Sequence, residues 1–292
     1  MARSSGVTAR RPLRRWQISR WARVPLQLLT RERRPGVTIL MYHRVGGGTS
    51  RQLDLPAELF ARQLDYLRRR YRIVSLDDLL DAAREQPANG TRDLLVLTFD
   101  DGYAEMQSVV LPLLRRFNVP ATLYLPTAYI EEQRPIDWGR YQELPAALRP
   151  RPLTWAQVRE LQASGFFTIG AHTHTHLNLT AATLEEIERE IRQSNALLLE
   201  RLGLRVRHFA YPYGRGSAGA REVVARFYET ATVQGFLKIA FARLDPTHLP
   251  RVPVSTSDGF WFFRLRLSAL PSRSRRHGNG NMPTGSSEED HE

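Results

Sequence analysis

The sequence predicts an α/β fold in which a parallel sheet closes into a barrel. Short apolar segments typical of buried strands alternate with longer segments of helical periodicity. Polar residues follow several of these strands, where β/α barrels gather their catalytic side chains. They are His43, Asp100 with Asp101, His172 with His176, and Tyr213. Their recurrence favours a closed barrel over an open sheet, because closure brings all strand ends to one mouth.

The elements follow one another in a regular order. Predicted strands cover residues 37–42, 94–99, 121–125, 166–170, 207–211, 229–233 and 249–254. Predicted helices cover residues 57–70, 75–84, 104–117, 154–163, 183–202 and 218–227. Thr183 and Glu186 have the spacing of a capping box, and Gly203 is the expected stop of that helix. Residues 126–152 are rich in proline and lack a clear period, which predicts a long loop.

The chain of 292 residues is long enough for one barrel-sized domain. We expect this domain to span residues 36–271. Residues 1–35 form a basic arm, and residues 272–292 have the composition of a disordered tail.

The net charge of +12 is concentrated in residues 1–34, which hold ten arginines and one acid. A nucleic-acid-binding surface would make the folded domain itself basic, so no nucleic-acid partner is expected. No apolar run reaches the roughly 18 residues of a membrane-spanning helix, and no cleavable signal peptide is evident. We therefore expect a cytoplasmic or membrane-peripheral protein. Trp16 and Trp21 among the arginines make the arm a candidate for peripheral membrane contact, with a frayed basic arm as the alternative.

The sequence has no cysteine, so a metal would need imidazole and carboxylate ligands. Adjacent Asp100 and Asp101 repel each other unless a cation lies close by or one is protonated. A divalent metal would let one carboxylate act as a ligand while the other accepts a proton from water. The alternative is an ordinary Asp-Asp-Gly turn that caps a helix.

His172 and His176 are four residues apart and can share a metal, while His174 is expected to point away. Asp101 would complete a set of two histidines and one carboxylate. A solvated histidine-rich loop is the alternative. Farther along, the turn at Tyr213 offers a backbone N–H for a developing oxyanion, although such turns are also common structural features.

The order of these motifs resembles the polysaccharide deacetylase family, carbohydrate esterase family four. The similar segments are residues 98–101 (Thr-Phe-Asp-Asp), residues 172–176 (His-Thr-X-Thr-His) and residues 211–214 (Tyr-Pro-Tyr-Gly). The resemblance covers roughly residues 37–255. Around residues 41–43 it is closest to members that act on exopolysaccharides of N-acetylglucosamine.

The resemblance implies a distorted (β/α) barrel of the polysaccharide deacetylase type and a divalent metal, usually zinc. It implies hydrolysis of N-acetyl (or O-acetyl) groups on a glycan such as an N-acetylglucosamine-containing polysaccharide. By position, it makes Asp100 the general base and gives the backbone N–H of Tyr213 an oxyanion role. The implied metal ligands are Asp101, His172 and His176. His43 and Tyr211 are further candidates for substrate binding.

Two departures from the family pattern stand out. Ala210 occupies the place of an arginine that braces the catalytic aspartate, and we expect Arg251 to supply that guanidinium to Asp100. The late Leu-X-His motif, the source of the general acid, has no clear match, and His248 is a candidate stand-in near the substrate.

Two rival functions remain open at this point. A non-haem iron oxygenase would use the same ligand set, although a base beside a ligand favours hydrolysis. A glycan-binding homologue with weak turnover is the other, motivated by Ala210 and the missing late histidine.

Overall fold

A closed barrel of seven parallel strands forms the centre of the protein in this computed structural model, which describes residues 35–49, 51–85 and 92–270. The barrel strands are β1 (Gly36–Tyr42), β5 (Leu94–Phe99), β6 (Ala121–Leu125), β7 (Phe167–Ala171), β8 (His208–Ala210), β9 (Thr230–Gln234) and β11 (Leu249–Pro253). Strand β1 pairs with both β5 and β11, which closes the sheet. The predicted barrel class is therefore confirmed.

Four short strands decorate this barrel. They are β2 (Arg44–Val45), β3 (Asp54–Leu55), β4 (Arg72–Ile73) and β10 (Ile239–Ala240). Strand β4 pairs with β5, and β10 runs antiparallel to β1 at its amino end. Strands β2 and β3 form a separate pair on the mouth side, after β1.

Helices pack around the outside of the barrel. They are α1 (Ala57–Arg70), α2 (Leu79–Arg84), α3 (Leu111–Phe117), α4 (Thr127–Glu132), α5 (Trp155–Ala163), α6 (Leu184–Leu202), α7 (Ala218–Ala225) and α8 (Gly259–Ser268). The predicted capping box of Thr183 and Glu186 is present at the start of α6, and Gly203 ends that helix with a φ of 67°. None of the helices in the described ranges is long and apolar enough to cross a membrane.

Three predictions of local structure need correction. The segment 126–152 is not a plain loop, because it contains α4 and two short 3₁₀ turns. The helix predicted over residues 104–117 begins with a π-helical turn at Met106–Val110 before α3. Helix α8 was not predicted, since its aromatic and arginine residues show no clear apolar period.

Side-chain alternation along the strands divides the core into two layers. Leu40, Leu97 and Phe99 point outward and pack beneath the helices. Val96 and Tyr124 belong to the smaller cluster inside the barrel. Each fully buried Leu or Phe contributes about 1.5 to 3 kcal/mol by leaving water. This packing fixes the strands, whose carboxyl ends carry the polar residues singled out above.

Residues 1–34 of the predicted basic arm (residues 1–35) and the whole predicted tail (residues 272–292) lie outside the described residues. Their expected flexibility, and the membrane contact expected of the arm, stay predictions.

Candidate active site

Asp101, His172 and His176 converge at the mouth of the barrel. Oδ1 of Asp101 lies 3.5 Å from Nε2 of each histidine. One potential ligand atom from each residue lies within 4.8 Å of the others, and all three residues are buried. The structure thus brings together the ligand set expected from the sequence.

Three residues in or beside this group have backbone conformations that residues other than glycine seldom adopt. Asp101 has a φ of 74°, Thr173 of 62° and His176 of 61°, all in the left-handed region. Such conformations cost about 1 to 3 kcal/mol each and persist only where the surroundings enforce them. Strained positions of this kind cluster at functional sites.

Glu190 of helix α6 holds the histidine loop in this conformation. Its carboxylate accepts hydrogen bonds from the backbone N–H groups of His174 and Thr175 at 2.9 and 2.7 Å. It also accepts one from the Thr175 hydroxyl at 2.8 Å. A buried carboxylate with three donors is a strong local anchor. The loop is therefore fixed from behind, which leaves His172 and His176 facing the mouth.

Further contacts orient the proposed ligands. Nδ1 of His172 donates a hydrogen bond to the Ala210 carbonyl at 2.8 Å, because a carbonyl only accepts, and this leaves the Nε2 lone pair facing Asp101. The Tyr103 hydroxyl donates to Oδ2 of Asp101 at 3.1 Å. The ring of Trp138 stacks on His176 with centroids 4.0 Å apart and planes 13° apart.

The donor set fits a divalent cation. Oδ1 of Asp101 is buried and has no hydrogen-bond partner, an arrangement that normally marks a missing ion or water. Burial, followed by the charge of Asp100, raises the pKa of Asp101 to about 8. Burial also lowers the pKa of both histidines, which favours the neutral imidazole that binds metals. A cation between these atoms would satisfy the orphaned oxygen.

Asp100 lies beside this group and is clamped by Arg251. Nη1 and Nη2 of the guanidinium donate to Oδ1 and Oδ2 at 2.6 and 2.7 Å. Nη1 also donates to the Thr98 hydroxyl at 3.0 Å, and that hydroxyl donates to the Leu40 carbonyl at 2.8 Å. Burial is the largest single influence and would raise the pKa of Asp100. The charge and hydrogen bonds of Arg251, together with the nearby His172 and His43, outweigh it, and the pKa falls to about 2. Asp100 is therefore ionised at neutral pH.

His43 and Tyr213 also border the site. Nε2 of His43 lies 4.0 Å from Oδ2 of Asp100, and burial lowers the pKa of this histidine to about 4. Tyr213 has a φ of 57°, and its ring meets His176 edge to face at 4.8 Å. Its side chain is about half exposed, so it stands at the rim of the mouth.

Two residues expected near the substrate lie elsewhere. Tyr211 is fully buried in the outer core, with its ring 5.1 Å from Phe209, so it does not face the mouth. His248 precedes β11, at the amino end of the barrel, and its Nδ1 lies 3.4 Å from Arg221 of α7. The site forms at the carboxyl ends instead. The expectation that Tyr211 and His248 contact substrate is therefore corrected.

Three residues at the site were missed by the sequence interpretation. Tyr103 comes two residues after Asp101 and was overlooked beside the two acids. Trp138 lies in the segment taken for a plain loop. Glu190 lies on α6, where a charged residue usually indicates a solvated face, yet it is buried. Helical periodicity does place Glu190 on the same face as Ile187 and Ile191, and this is the signal that could have found it.

Comparison with known proteins supports the fold and the site region. Residues 88–230 match the family model for polysaccharide deacetylase. YxkH of Bacillus subtilis is 24% identical over 177 residues, which cover 61% of this chain and 56% of that protein. A chitooligosaccharide deacetylase of Sinorhizobium fredii is 30% identical over 138 residues, which cover 46% of this chain and 54% of that protein. The chain thus spans about half the length of the curated relatives it matches.

A solved structure shares the architecture. IcaB from Ammonifex degensii superposes with a TM-score of 0.66 at 24% identity, over 80% of this chain and 97% of that chain. At this identity the likeness concerns the fold. The match to the polysaccharide deacetylase family model covers β5 to β8 and includes Asp100, Asp101, His172 and His176, so this part of the chain is similar to that family.

Proposed function

We propose that this protein is a metal-dependent hydrolase that removes N-acetyl groups from a glycan containing N-acetylglucosamine. One observation carries the proposal: an ionised, arginine-clamped Asp100 lies directly beside a buried Asp-His-His set with an orphaned carboxylate oxygen. Similarity to the chitooligosaccharide deacetylase of Sinorhizobium fredii supports the same reaction.

In this proposal, Asp101, His172 and His176 hold the cation, with zinc as the first choice. A divalent cation bound there supplies positive charge for the scissile carbonyl and makes a nearby water more acidic. The Tyr103 hydroxyl and the Ala210 carbonyl keep two of the ligands in position, as outer contacts do in metal sites.

Asp100 is the proposed general base. Its carboxylate takes a proton from the water whose oxygen attacks the acetyl carbon. The amide C–N bond then breaks, the amine nitrogen takes up the proton that Asp100 removed from the water, and acetate and free amine are released. Arg251 keeps Asp100 ionised and fixes the plane of its carboxylate, so the base is ready before substrate binds. The backbone N–H of Tyr213 is the proposed donor to the oxyanion, and one such donor typically contributes about 10² to 10³ in rate.

The same observations give less support to the two rival functions. An iron oxygenase has no need for a base, whereas the paired Asp100 and Arg251 are a costly arrangement unless a carboxylate must stay charged. A homologue that only binds glycan was suggested by Ala210, but Arg251 fills the role of the missing arginine by contacting Asp100 from β11.

Acetate release tests the proposal. The full-length protein would be loaded with zinc or iron and incubated with N-acetylglucosamine oligomers or with O-acetylated glycans. From the N-acetylglucosamine oligomers we expect acetate and free amine in equal amounts, with no oxygen uptake. Oligomer binding without acetate would favour the binding homologue, and oxygen uptake by the iron form would favour the oxygenase.

A further inference from the structure

Helix α8, the last in the described residues, exposes large apolar side chains on the protein surface. Trp261 is 72% exposed and Leu265 is 36% exposed, while Phe263 and Leu267 on the same helix are buried. Because Trp261 and Leu265 are four residues apart, they lie on one side of the helix. Most of the Trp261 side chain is left uncovered by the described part of the chain.

Arginines surround these apolar side chains. The guanidinium carbon of Arg264 lies 5.2 Å from the centre of the Trp261 ring and 5.0 Å from that of Tyr66 on α1. The guanidinium carbon of Arg62 lies 4.5 Å from the centre of the Phe260 ring. Within residues 35–270 as described, neither Arg62 nor Arg264 pairs with an acid. Both cations therefore remain available to an external anion.

The charge of the folded domain is concentrated on these two helices. Helices α1 and α8 together hold six arginines and two acids, a net charge of +4. The whole of residues 35–270 also carries +4, so the remainder of the domain is balanced. The exposed apolar side chains thus lie on a helix pair that carries a net positive charge.

Helix α8 begins on the mouth side of the barrel. Just before it, the backbone N–H of Thr256 donates to the Gln52 carbonyl and its hydroxyl donates to the Asp54 carbonyl, both at 2.8 Å. Gln52 and Asp54 belong to the loop and short strand that follow β1 at the mouth. Trp261 therefore lies on the same side of the domain as the candidate active site.

We propose that the exposed face of α8, together with the adjoining arginines of α1, docks onto an anionic membrane surface. Trp261 and Leu265 enter the interfacial region, and Arg62 and Arg264 contact anionic headgroups. Aromatic side chains combined with arginine suit this environment, because the rings bury apolar area while the guanidinium groups stay at headgroup level. Docking in this way would hold the barrel mouth close to the membrane.

Charge argues against the other occupants. Residues 1–34 carry +9, so this arm would meet a like-charged face. A second copy related by two-fold symmetry would place the same arginines against each other. An anionic lipid surface attracts both the arm and the α8 face.

Site-specific labelling tests the contact separately from any binding by the arm. The chain has no cysteine, so Trp261→Cys in the full-length protein accepts a single environment-sensitive fluorophore. Leu148→Cys is the matched control, because Leu148 is 68% exposed and lies on a different turn. With vesicles of phosphatidylcholine and phosphatidylglycerol at 3:1, we expect a blue shift of the label at position 261 and none at position 148. Vesicles of phosphatidylcholine alone should give no shift.

Partitioning provides the second measurement. The double variant Trp261→Ser, Leu265→Ser should bind the anionic vesicles at least tenfold less than the parent, and Leu148→Ser should match the parent. The pair Arg62→Gln, Arg264→Gln should also weaken binding, by about fivefold for each charge removed. Circular dichroism would check that the variants remain folded.

Three results would overturn the proposal. The first is a label at position 261 that stays in water while the protein is bound to vesicles. That result would assign binding to residues 1–34 alone. The second is a failure of the protein to bind anionic vesicles. The third is a dimer, detected by light scattering, that is absent in the Trp261→Ser, Leu265→Ser variant. That result would make the exposed face of α8 an interface between two copies.

Discussion

Arg251 holds Asp100 through two parallel hydrogen bonds, Nη1 to Oδ1 at 2.6 Å and Nη2 to Oδ2 at 2.7 Å. Arg251 comes from β11 and Asp100 follows β5, two strands that flank β1 in the barrel. The two residues are 151 positions apart in sequence. A guanidinium that is fully buried and bidentate fixes both the charge and the plane of the carboxylate it contacts.

Replacing Arg251 should damage both stability and turnover. Arg251→Ala leaves Asp100 as a buried, unpaired charge, and we expect a loss of about 3 to 5 kcal/mol in the free energy of unfolding. The control is Arg207→Ala, because Arg207 pairs with Glu229 at the surface and should contribute only about 0 to 1 kcal/mol. Urea unfolding of the three proteins would measure this. Equal losses for the two variants would mean that the buried pair has no special role.

Substitutions can distinguish the proposed metal ligands His172 and His176 from His174, which lies between them in the same motif. His172→Ala and His176→Ala should each weaken zinc binding by more than about 100-fold, since even an outer contact costs 10- to 100-fold. His174→Ala is the matched control, because its Nδ1 bonds to the Thr127 hydroxyl at 2.9 Å and points away from the site. Calorimetric titration with zinc would measure the affinities. An affinity loss in His174→Ala as large as in the other two would reject the assignment.

Tyr103 should tune the site without belonging to the ligand set. Tyr103→Phe removes the hydroxyl that donates to Oδ2 of Asp101, and we expect zinc affinity to fall by about 10- to 100-fold. The comparison is Tyr129→Phe, whose hydroxyl bonds to Asp137 instead. The same calorimetric titration applies. Unchanged affinity in Tyr103→Phe would show that this hydrogen bond does not orient the carboxylate.

The metal-free protein should lose stability as the pH rises. Burial and the charge of Asp100 raise the pKa of Asp101 from its ordinary value of 3.8 to about 8. Between these values the folded state binds a proton that the unfolded state lacks. The contribution of this group therefore falls by up to about 1.4 kcal/mol per pH unit and levels off above pH 8. Urea unfolding with a chelator at pH 6, 7 and 8 would measure it.

Asp101→Asn is the control for this pH dependence, because the amide does not titrate. Its stability should change less over the same pH range than that of the parent. If the two proteins show the same slope, another buried group is responsible.

Much of the barrel was predictable because its signals are local. Runs such as residues 94–99 are continuously apolar, as expected of strands covered on both faces, and capping residues such as Thr183 mark a helix start. Helix α8 gave no such signal. Its order is set by packing of Phe263 and Leu267 against the domain, while Trp261 and Phe262 are exposed.

The site residues also differ in whether a local sequence signal marks their position. Asp100, Asp101, His172 and His176 directly follow strands, so the barrel topology alone brings them together. Trp138, Tyr103 and Glu190 lie on connecting segments or on a helix, where their position depends on tertiary packing.

Strand direction explains how His248 and Arg251 differ. Both were candidates from the same stretch of sequence, and both expectations assumed that they face the mouth. His248 lies at the amino end of β11 and remains there, whereas the long side chain of Arg251 reaches along the barrel interior to Asp100. Strand polarity accounts for the difference, because His248 precedes the strand and lies at the end opposite the mouth, whereas Arg251 lies within it.

The proposed role of Asp100 is the centre of this account, and Asp100→Asn tests it most directly. The amide keeps the size of the side chain but accepts no proton, so the variant should bind zinc like the parent. We expect acetate release from N-acetylglucosamine oligomers to fall by about 10² to 10⁴ at equal zinc content, the usual effect of losing a general base. Turnover within threefold of the parent at equal zinc content would contradict the account.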